Sequence, residues 1–298
     1  MLSILIPVYN YSISKLVSDL ILLIRADALN AEIVIVDDGS TEFSIKNKQI
    51  NEYDEVRYFE FKENKGRSLA RNFLAEQAKY QYLLFIDCDA EVAKNDFLTT
   101  YYRCIVDKKD VVCGGLMYPK KEDVKKEHYL RWYYGTKREE RPLNKRKEFP
   151  YRSFSSFNFM IRKEIFLKIK FPKQINTYGH EDTFLGLALE ATGINIEHIN
   201  NPLIHLGLEN AEVFIEKSKI SVQNMDKLAV LVADKEKLIF GIKMYRYINI
   251  VKKLHIQWII RFLYYLSNHF LFKNLTSNRP NLRLFDFYKL GYYFNLKK

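Results

Sequence analysis

Residues Tyr82 to Ile86, YLLFI, form an unbroken apolar run that stops abruptly at Asp87-Cys88-Asp89. A run of this kind is the pattern of a strand covered on both faces, which belongs in a parallel sheet packed between helices. In open α/β sheets, ligands bind just beyond the carboxyl ends of the strands, so an acidic pair at that point is placed for chemistry. Two hard oxygen donors two residues apart suit Mg²⁺ or Mn²⁺ bridging to substrate phosphates. An ordinary strand-ending turn is the competing reading, since Asp is common there.

The residues before this run repeat the same theme. Leu2 to Pro7 reads as a first buried strand, followed by the turn Val8-Tyr9-Asn10. Ile13, Leu16, Val17, Leu20, Ile21 and Ile24 then recur at helical spacing. Glu32 to Val36 is a second strand that runs into Asp37-Asp38-Gly39-Ser40. Strand, helix and strand with a short return make a right-handed parallel unit. The dinucleotide fingerprint Gly-x-Gly-x-x-Gly is missing after the first strand. Asp37 and Asp38 either form a turn with Gly39 or accept hydrogen bonds from a base N–H or a ribose hydroxyl. Val56 to Phe61 is a further strand. After it, Gly66 permits a tight turn into a helix that should present Leu69, Phe73, Leu74 and Ala78 inward. Lys65 and Arg67 at that helix start are either an anion contact or plain solvated cations.

Downstream, Ser153 to Lys168 reads as a strand followed by a short helix. Tyr178-Gly179-His180-Glu181-Asp182 precedes an apolar helix, Thr183 to Ala191, that stops at Gly193. Asp182 stands at the N-cap of that helix, and capping alone accounts for an Asp there. The rival role is a general base. Ile194 to Leu206 returns as an extended segment carrying His205. Residues 118–152 hold 12 Lys/Arg and 6 Asp/Glu among Tyr129, Trp132, Tyr133 and Tyr134. They are expected to form either a mobile acceptor-side loop or a solvated loop packed by its own aromatics. Binding of nucleic acid is not expected, because no nucleic-acid module accompanies the stretch.

At 298 residues the chain can hold one sizeable α/β domain and an appendage. Its net charge of +11 lies almost wholly in the tail: residues 1–210 carry 31 Lys/Arg against 30 Asp/Glu, residues 211–298 carry 16 against 6. The shift marks a boundary between a domain over 1–210 and a basic, aromatic, mostly helical extension over 211–298. Leu254 to Phe272 is strongly apolar, but Arg261, Asn268 and His269 interrupt it, which argues against a membrane span. With Lys252, Lys253, Arg261 and Lys273 it suits an interfacial helix on anionic lipid, or equally a helix packed on the domain or at a dimer interface. The three cysteines form no Cys-x-x-Cys pair and fit a reducing compartment. No secretory leader is legible at the N-terminus.

The segments LSILIPVYN, VIVDDGS, NKGRSLARN, FIDCDA and the later Gly-His-Glu-Asp stand in the order and rough spacing of family-2 glycosyltransferases with the GT-A fold, which residues 1–210 therefore resemble. The resemblance implies a mostly parallel twisted sheet flanked by helices, a nucleotide-sugar donor, a divalent Mn²⁺ or Mg²⁺ ion and inversion at the anomeric carbon. By position it assigns Pro7, Tyr9, Asp37, Asp38, Arg67, Asp87 and Asn158 to the nucleotide sugar. It assigns Asp89, Asp87 and His205 to the metal, and Asp182, with Glu181 beside it, to the catalytic base. The expected activity is hexosyl or N-acetylhexosaminyl transfer, with a UDP-sugar as the leading donor, to a glycan or lipid-linked acceptor in surface polysaccharide synthesis. Its expected location is the cytoplasm, at the inner face of the membrane. A metal-dependent nucleotidyltransferase and a catalytically dead glycan-binding protein on the same fold are the alternatives.

Overall fold

The computed structural model describes residues 1–296. The chain divides into two compact units, one of residues 1–118, 140–176 and 181–207, the other of residues 119–139, 177–180 and 208–298.

The first unit is an α/β fold. Seven strands, β1 (Leu2–Val8), β2 (Ala31–Asp37), β3 (Val56–Glu60), β4 (Tyr82–Ile86), β6 (Val111–Cys113), β8 (Asn158–Arg162) and β9 (Ile196–His198), form one sheet in the order β3-β2-β1-β4-β8-β6-β9. The first four are parallel, β8 runs antiparallel to both β4 and β6, and β9 is parallel to β6. A smaller sheet joins β5 (Ala90–Glu91), β7 (Leu116–Met117) and β10 (Leu203–His205) in the order β5-β10-β7.

The unbroken apolar runs read from the sequence are explained by burial on both faces. Ile4 pairs with Ile33 and Leu84, and this face of the sheet packs on Leu16, Val17, Leu20 and Ile24 of the helix Ser14–Ala26. Leu5 pairs with Val34 and Phe85, and these side chains join Leu74, Phe166 and Leu189 from three other helices. Phe85 stacks on Phe159 of β8 with ring centroids 4.8 Å apart. The chain leaves β1 to build β2 and β3 on one side, then returns to build β4 on the other. The carboxyl ends of β1 and β4 therefore flank a topological switch point, the place where such sheets leave a crevice.

One helix departs from its sequence reading. The helix Arg67–Gln77 buries Ser68, Ala70, Arg71, Asn72, Leu74 and Ala75, whereas Leu69 and Phe73 are only partly covered. Its inner face is half polar because each of these polar side chains bonds to a partner outside the helix. The Ser68 hydroxyl donates to Ile175 O at 2.8 Å, Asn72 exchanges two hydrogen bonds with the backbone of Phe171, and Arg71 meets Asp87. Apolar periodicity is blind to an inward face of this kind.

The second unit is helical. Helices Ala211–Leu231, Gln257–Leu275 and Leu282–Leu296 pack through Phe214, Ile215, Tyr264, Leu271, Leu275, Phe285 and Tyr288, with Leu130 from the helix Tyr129–Arg138. Gly291 is needed at this packing: a Cβ there would lie 2.4 Å from a ring carbon of Tyr264. Residues 118–152, expected as a loop, are instead largely helical (Tyr129–Arg138 and Leu143–Glu148). Trp132 donates to Pro119 O at 2.9 Å, and Tyr129 stacks on Tyr133, so these aromatics serve local packing. Of the four cations expected beside the apolar segment, two are turned to the bundle. Arg261 donates to Phe294 O at 2.8 Å and Lys252 to the Tyr293 hydroxyl at 3.1 Å.

Candidate active site

Asp87 and Asp89 follow the carboxyl end of β4, at the switch point of the sheet. Their fates differ. Asp87 Oδ1 accepts from Arg71 Nη2 at 2.6 Å. Arg71 is buried, and its Nη1 also lies 3.7 Å from Glu181 Oε1. Its Nε and Nη1 make no hydrogen bond among the described residues. Burial works against its charge, but Asp87, Glu181 and Asp182 together hold the guanidinium above its ordinary pKa. The sequence reading passed over Arg71. Its signal was the spacing of four from Arg67, which places both on one side of the same helix.

Glu181 and Asp182 open the helix Glu181–Ala191. Asp182 is thus the second residue of the helix and not its N-cap, which corrects the expected capping role. Glu181 is buried, with Arg67 Nη1 at 3.9 Å from its Oε1. Asp182 Oδ1 is closed off from solvent and makes no hydrogen bond among the described residues, while the Ser156 hydroxyl bonds to the carboxylate. Desolvation and the neighbouring Glu181 charge push Asp182 up to about 6, against the opposing pull of Arg71 and Ser156. A carboxylate in that range changes protonation near neutrality, as a proton acceptor must.

Asp89 faces a different partner. Its Oδ2 lies 3.6 Å from His205 Nε2, brought there by the pairing of β10 with β5, in which His205 stands opposite Ala90. The Leu206 N–H donates to Asp89 O at 2.8 Å, and Gly207 follows directly against the carboxylate. A Cβ on Gly207 would fall 1.8 Å from Asp89 Oδ2, so only glycine leaves this oxygen its place. The oxygen and imidazole nitrogen are near the ~3 Å spacing of adjacent ligands on one octahedral ion with ~2.1 Å bonds. Among the described residues no group of three or more His, Cys, Asp or Glu forms a cage. Two protein donors with phosphate oxygens are how Mg²⁺-like ions are commonly held, so Asp89 and His205 fit a divalent ion and Asp87, engaged by Arg71, stands apart from them.

The remaining expected contacts split. Tyr9 is exposed after β1, its backbone hydrogen-bonded to the Cys88 thiol, and Pro7 lies beyond the part of β1 paired with β4. Asp37 and Asp38 are buried and engaged. Asp37 accepts from the Ser40 N–H at 2.7 Å and the Tyr58 hydroxyl at 3.0 Å. Asp38 accepts from the N–H groups of Lys65 at 2.7 Å and Gly66 at 2.9 Å. Asp38 therefore shapes the turn that starts the Arg67–Gln77 helix. Gly66, at φ +90° with its Cα side against Asn176 O, cannot be replaced there. Asn158 does not face a substrate: it is buried, its Nδ2 donates to Gly115 O and Asn201 O, and its Oδ1 accepts from the Tyr101 hydroxyl at 2.6 Å. An amide with every strong valence used is a structural link, so the expected sugar contact is corrected.

A mostly parallel sheet with a topological switch point between β1 and β4 and acidic groups beyond the strand ends define a GT-A-like fold. Residues 3–169 match the model of Glycosyl transferase family 2, more than half of the chain, and the chain belongs to that family. Among curated relatives, a cholesterol galactosyltransferase of Borreliella burgdorferi is 24% identical over 258 residues, 79% of this chain and 66% of the relative. Glycosyltransferase GlyG of Streptococcus pneumoniae is 30% identical over 117 residues, 38% of each protein. A teichoic acid poly(glycerol phosphate) polymerase of Staphylococcus epidermidis is 37% identical over 73 residues, 24% of this chain and 10% of the relative. The chain thus spans less than two thirds of the length of these relatives. Among solved structures, the mannosyltransferase PcManGT from Pyrobaculum calidifontis in complex with GDP-Man and Mn²⁺ shares the fold at TM-score 0.58 and 13% identity, covering all of this chain and 87% of that one. S. aureus TarS 1-349 in complex with UDP does so at TM-score 0.51 and 16% identity, over all of this chain and 92% of that one.

Proposed function

We propose that the chain is an inverting glycosyltransferase, its catalytic part within residues 1–210. It moves a hexosyl or N-acetylhexosaminyl group from a nucleotide-diphosphate sugar, a UDP-sugar first, to a hydroxyl of a glycan or lipid-linked acceptor in surface polysaccharide synthesis. The observation that carries this is the charged series Asp87, Arg71, Glu181 and Asp182, with Arg71 and Glu181 buried, beside the Asp89–His205 pair. The nucleotide complexes of TarS and PcManGT and the acceptors named for the curated relatives support the substrate classes.

In this mechanism the acceptor oxygen bonds to the anomeric carbon as the carbon–oxygen bond to the diphosphate breaks, and the nucleoside diphosphate leaves with the electron pair. Asp182 takes the proton of the attacking hydroxyl, so that no positive charge is left on that oxygen. The Ser156 hydroxyl and the nearby Arg71 charge hold Asp182, the Glu181 charge raises its proton affinity, and Arg71 ties that side of the site to Asp87 on the donor side. A Mn²⁺ or Mg²⁺ ion held by Asp89 and His205 would offset the negative charge on the leaving diphosphate. Tyr9 offers its exposed ring to the base, and Arg67 its guanidinium to an anionic group. Working at the cytoplasmic face of a membrane would bring a lipid-linked acceptor within reach.

Incubation of the protein with a panel of nucleotide sugars and Mn²⁺ tests the reading. Release of nucleoside diphosphate with transfer to acceptor is expected. Release of pyrophosphate would replace it with nucleotidyl transfer, and binding without turnover would leave a glycan-binding protein.

A further inference from the structure

We propose that the outward face of the helix Gln257–Leu275 is a lipid-binding surface that lies flat in the headgroup region of an anionic bilayer. This deepens the membrane-side placement given above, and it stands or falls independently of the chemistry.

The helix is apolar on two opposite sides, which a packed surface helix does not need. Its inner side, Tyr264, Leu271 and Leu275, is buried in the helical unit. On the other side Trp258 is 66% exposed, Phe262 58%, Tyr265 82%, Leu266 63% and Phe270 61%. At about 100° per residue these five share an arc roughly 140° wide, the width of an amphipathic face, with exposed His269 as a polar residue within it. Exposed Leu254 and Ile250 extend the same apolar character into the preceding turn and helix. Aromatic side chains of this size make an exposed apolar patch on the order of a few hundred Å², the size of patch that often marks an interaction site. Among the described residues no helix is long and apolar enough to cross a membrane, so this helix has the character of one lying on a surface.

The occupant follows from charge and side-chain type. The segment 211–298 carries 16 Lys/Arg against 6 Asp/Glu. Two copies brought face to face would set this excess against itself, whereas an anionic lipid surface attracts it. Lys253 and Lys273 flank the stripe and are exposed, while Lys252 and Arg261 are held by the bundle. The insertion is thus chiefly apolar with electrostatic help. Trp258 and Tyr265 suit the boundary, where the ring is in the acyl region and the N–H or O–H meets water.

The full chain is to be mixed with vesicles of phosphatidylcholine alone and of phosphatidylcholine with phosphatidylglycerol, without donor or acceptor. Binding should be at least tenfold stronger on the anionic vesicles and should weaken with salt. Brominated lipid should quench the fluorescence of Trp258, a signal lost in Trp258→Phe although Trp132 remains. Phe262→Ser combined with Phe270→Ser should cut vesicle binding tenfold or more with an unchanged melting temperature, because both rings are in solvent. Vesicle binding that the double substitution leaves intact overturns the proposal. So does a dimer in solution that the same substitutions dissociate, since the face would then belong to a second copy.

Discussion

Replacing Asp182 by Asn tests the base and the electrostatics of the site at once. The carboxyl sits at about 6 in the folded protein against 3.8 for an unperturbed group. Because the folded value is raised, the native state prefers the proton. The penalty on the ionised form is absent below the unfolded value, grows through the window between about 4 and 6, and is complete above it. A shift of about two units at 1.36 kcal/mol per unit corresponds to about 3 kcal/mol of lost stability at pH 8. Asn keeps the shape and removes the charge, so Asp182→Asn should be more stable than wild type at pH 8 by up to about 3 kcal/mol. For a unit of this size that amounts to a melting-temperature gain on the order of 5–10 °C. The gain should vanish near pH 4. Transfer should fall by roughly 10²–10⁴ because the amide accepts no proton, while donor affinity is kept. In the wild type, kcat/KM should decline as pH drops below about 6. Melting curves at the two pH values, with transfer assays on the same samples, decide the matter. A mutant less stable than wild type at pH 8 would show that the carboxylate is held by net attraction to Arg71, which refutes the desolvation argument. Undiminished turnover would remove Asp182 from the base role and pass the question to Glu181.

Asp89→Asn and Gly207→Ala should each weaken metal-dependent donor binding at least tenfold in calorimetry, with metal-free binding unaffected. In the second, the added Cβ drives the Asp89 carboxylate from its place. Arg71→Met strips three carboxylates of a shared cation and should cost about 3–5 kcal/mol of stability. In the protein that still folds it should move the acid limb of the pH–rate profile upward, and Arg71→Lys should restore part of that shift. Asn158→Ala leaves the Tyr101 hydroxyl and two carbonyls without their amide partner. It should lower stability by about 3 kcal/mol or more by denaturant titration, with donor affinity per folded molecule unchanged.

The strands were legible because burial on both faces leaves a nearly continuous apolar signature, unbroken in Tyr82–Ile86 and interrupted by Ser3 in Leu2–Val8. The helix Ser14–Ala26 was legible in the same way, and its buried residues are those its spacing picks out. The helix Arg67–Gln77 was legible as a helix, with Leu74 and Ala78 buried as expected, but its full inner face was not, since that face also carries Ser68, Arg71 and Asn72, whose partners lie elsewhere in the chain. Asn158 was misread for a related reason: a buried amide and a substrate-facing amide are the same letter. Asp182 was read as a cap two positions ahead of its place as the second residue of the helix, because Asp is equally at home at a cap and inside the first turn.

The sequence by itself determined the strands β1 to β4 with the helices Ser14–Ala26 and Arg67–Gln77 between them, the family and the set of carboxylates that reach the strand ends, all properties of local pattern. Only the tertiary structure decided how those carboxylates are divided. It set Asp87 on Arg71, Asp89 on His205, and Asp38 on the Lys65–Gly66 backbone. It also left Asp182 Oδ1 without a hydrogen bond among the described residues and kept one side of Gln257–Leu275 in solvent. Charge, burial and hydrogen bonding act between residues distant in the chain, and their balance exists only once the fold has brought them together.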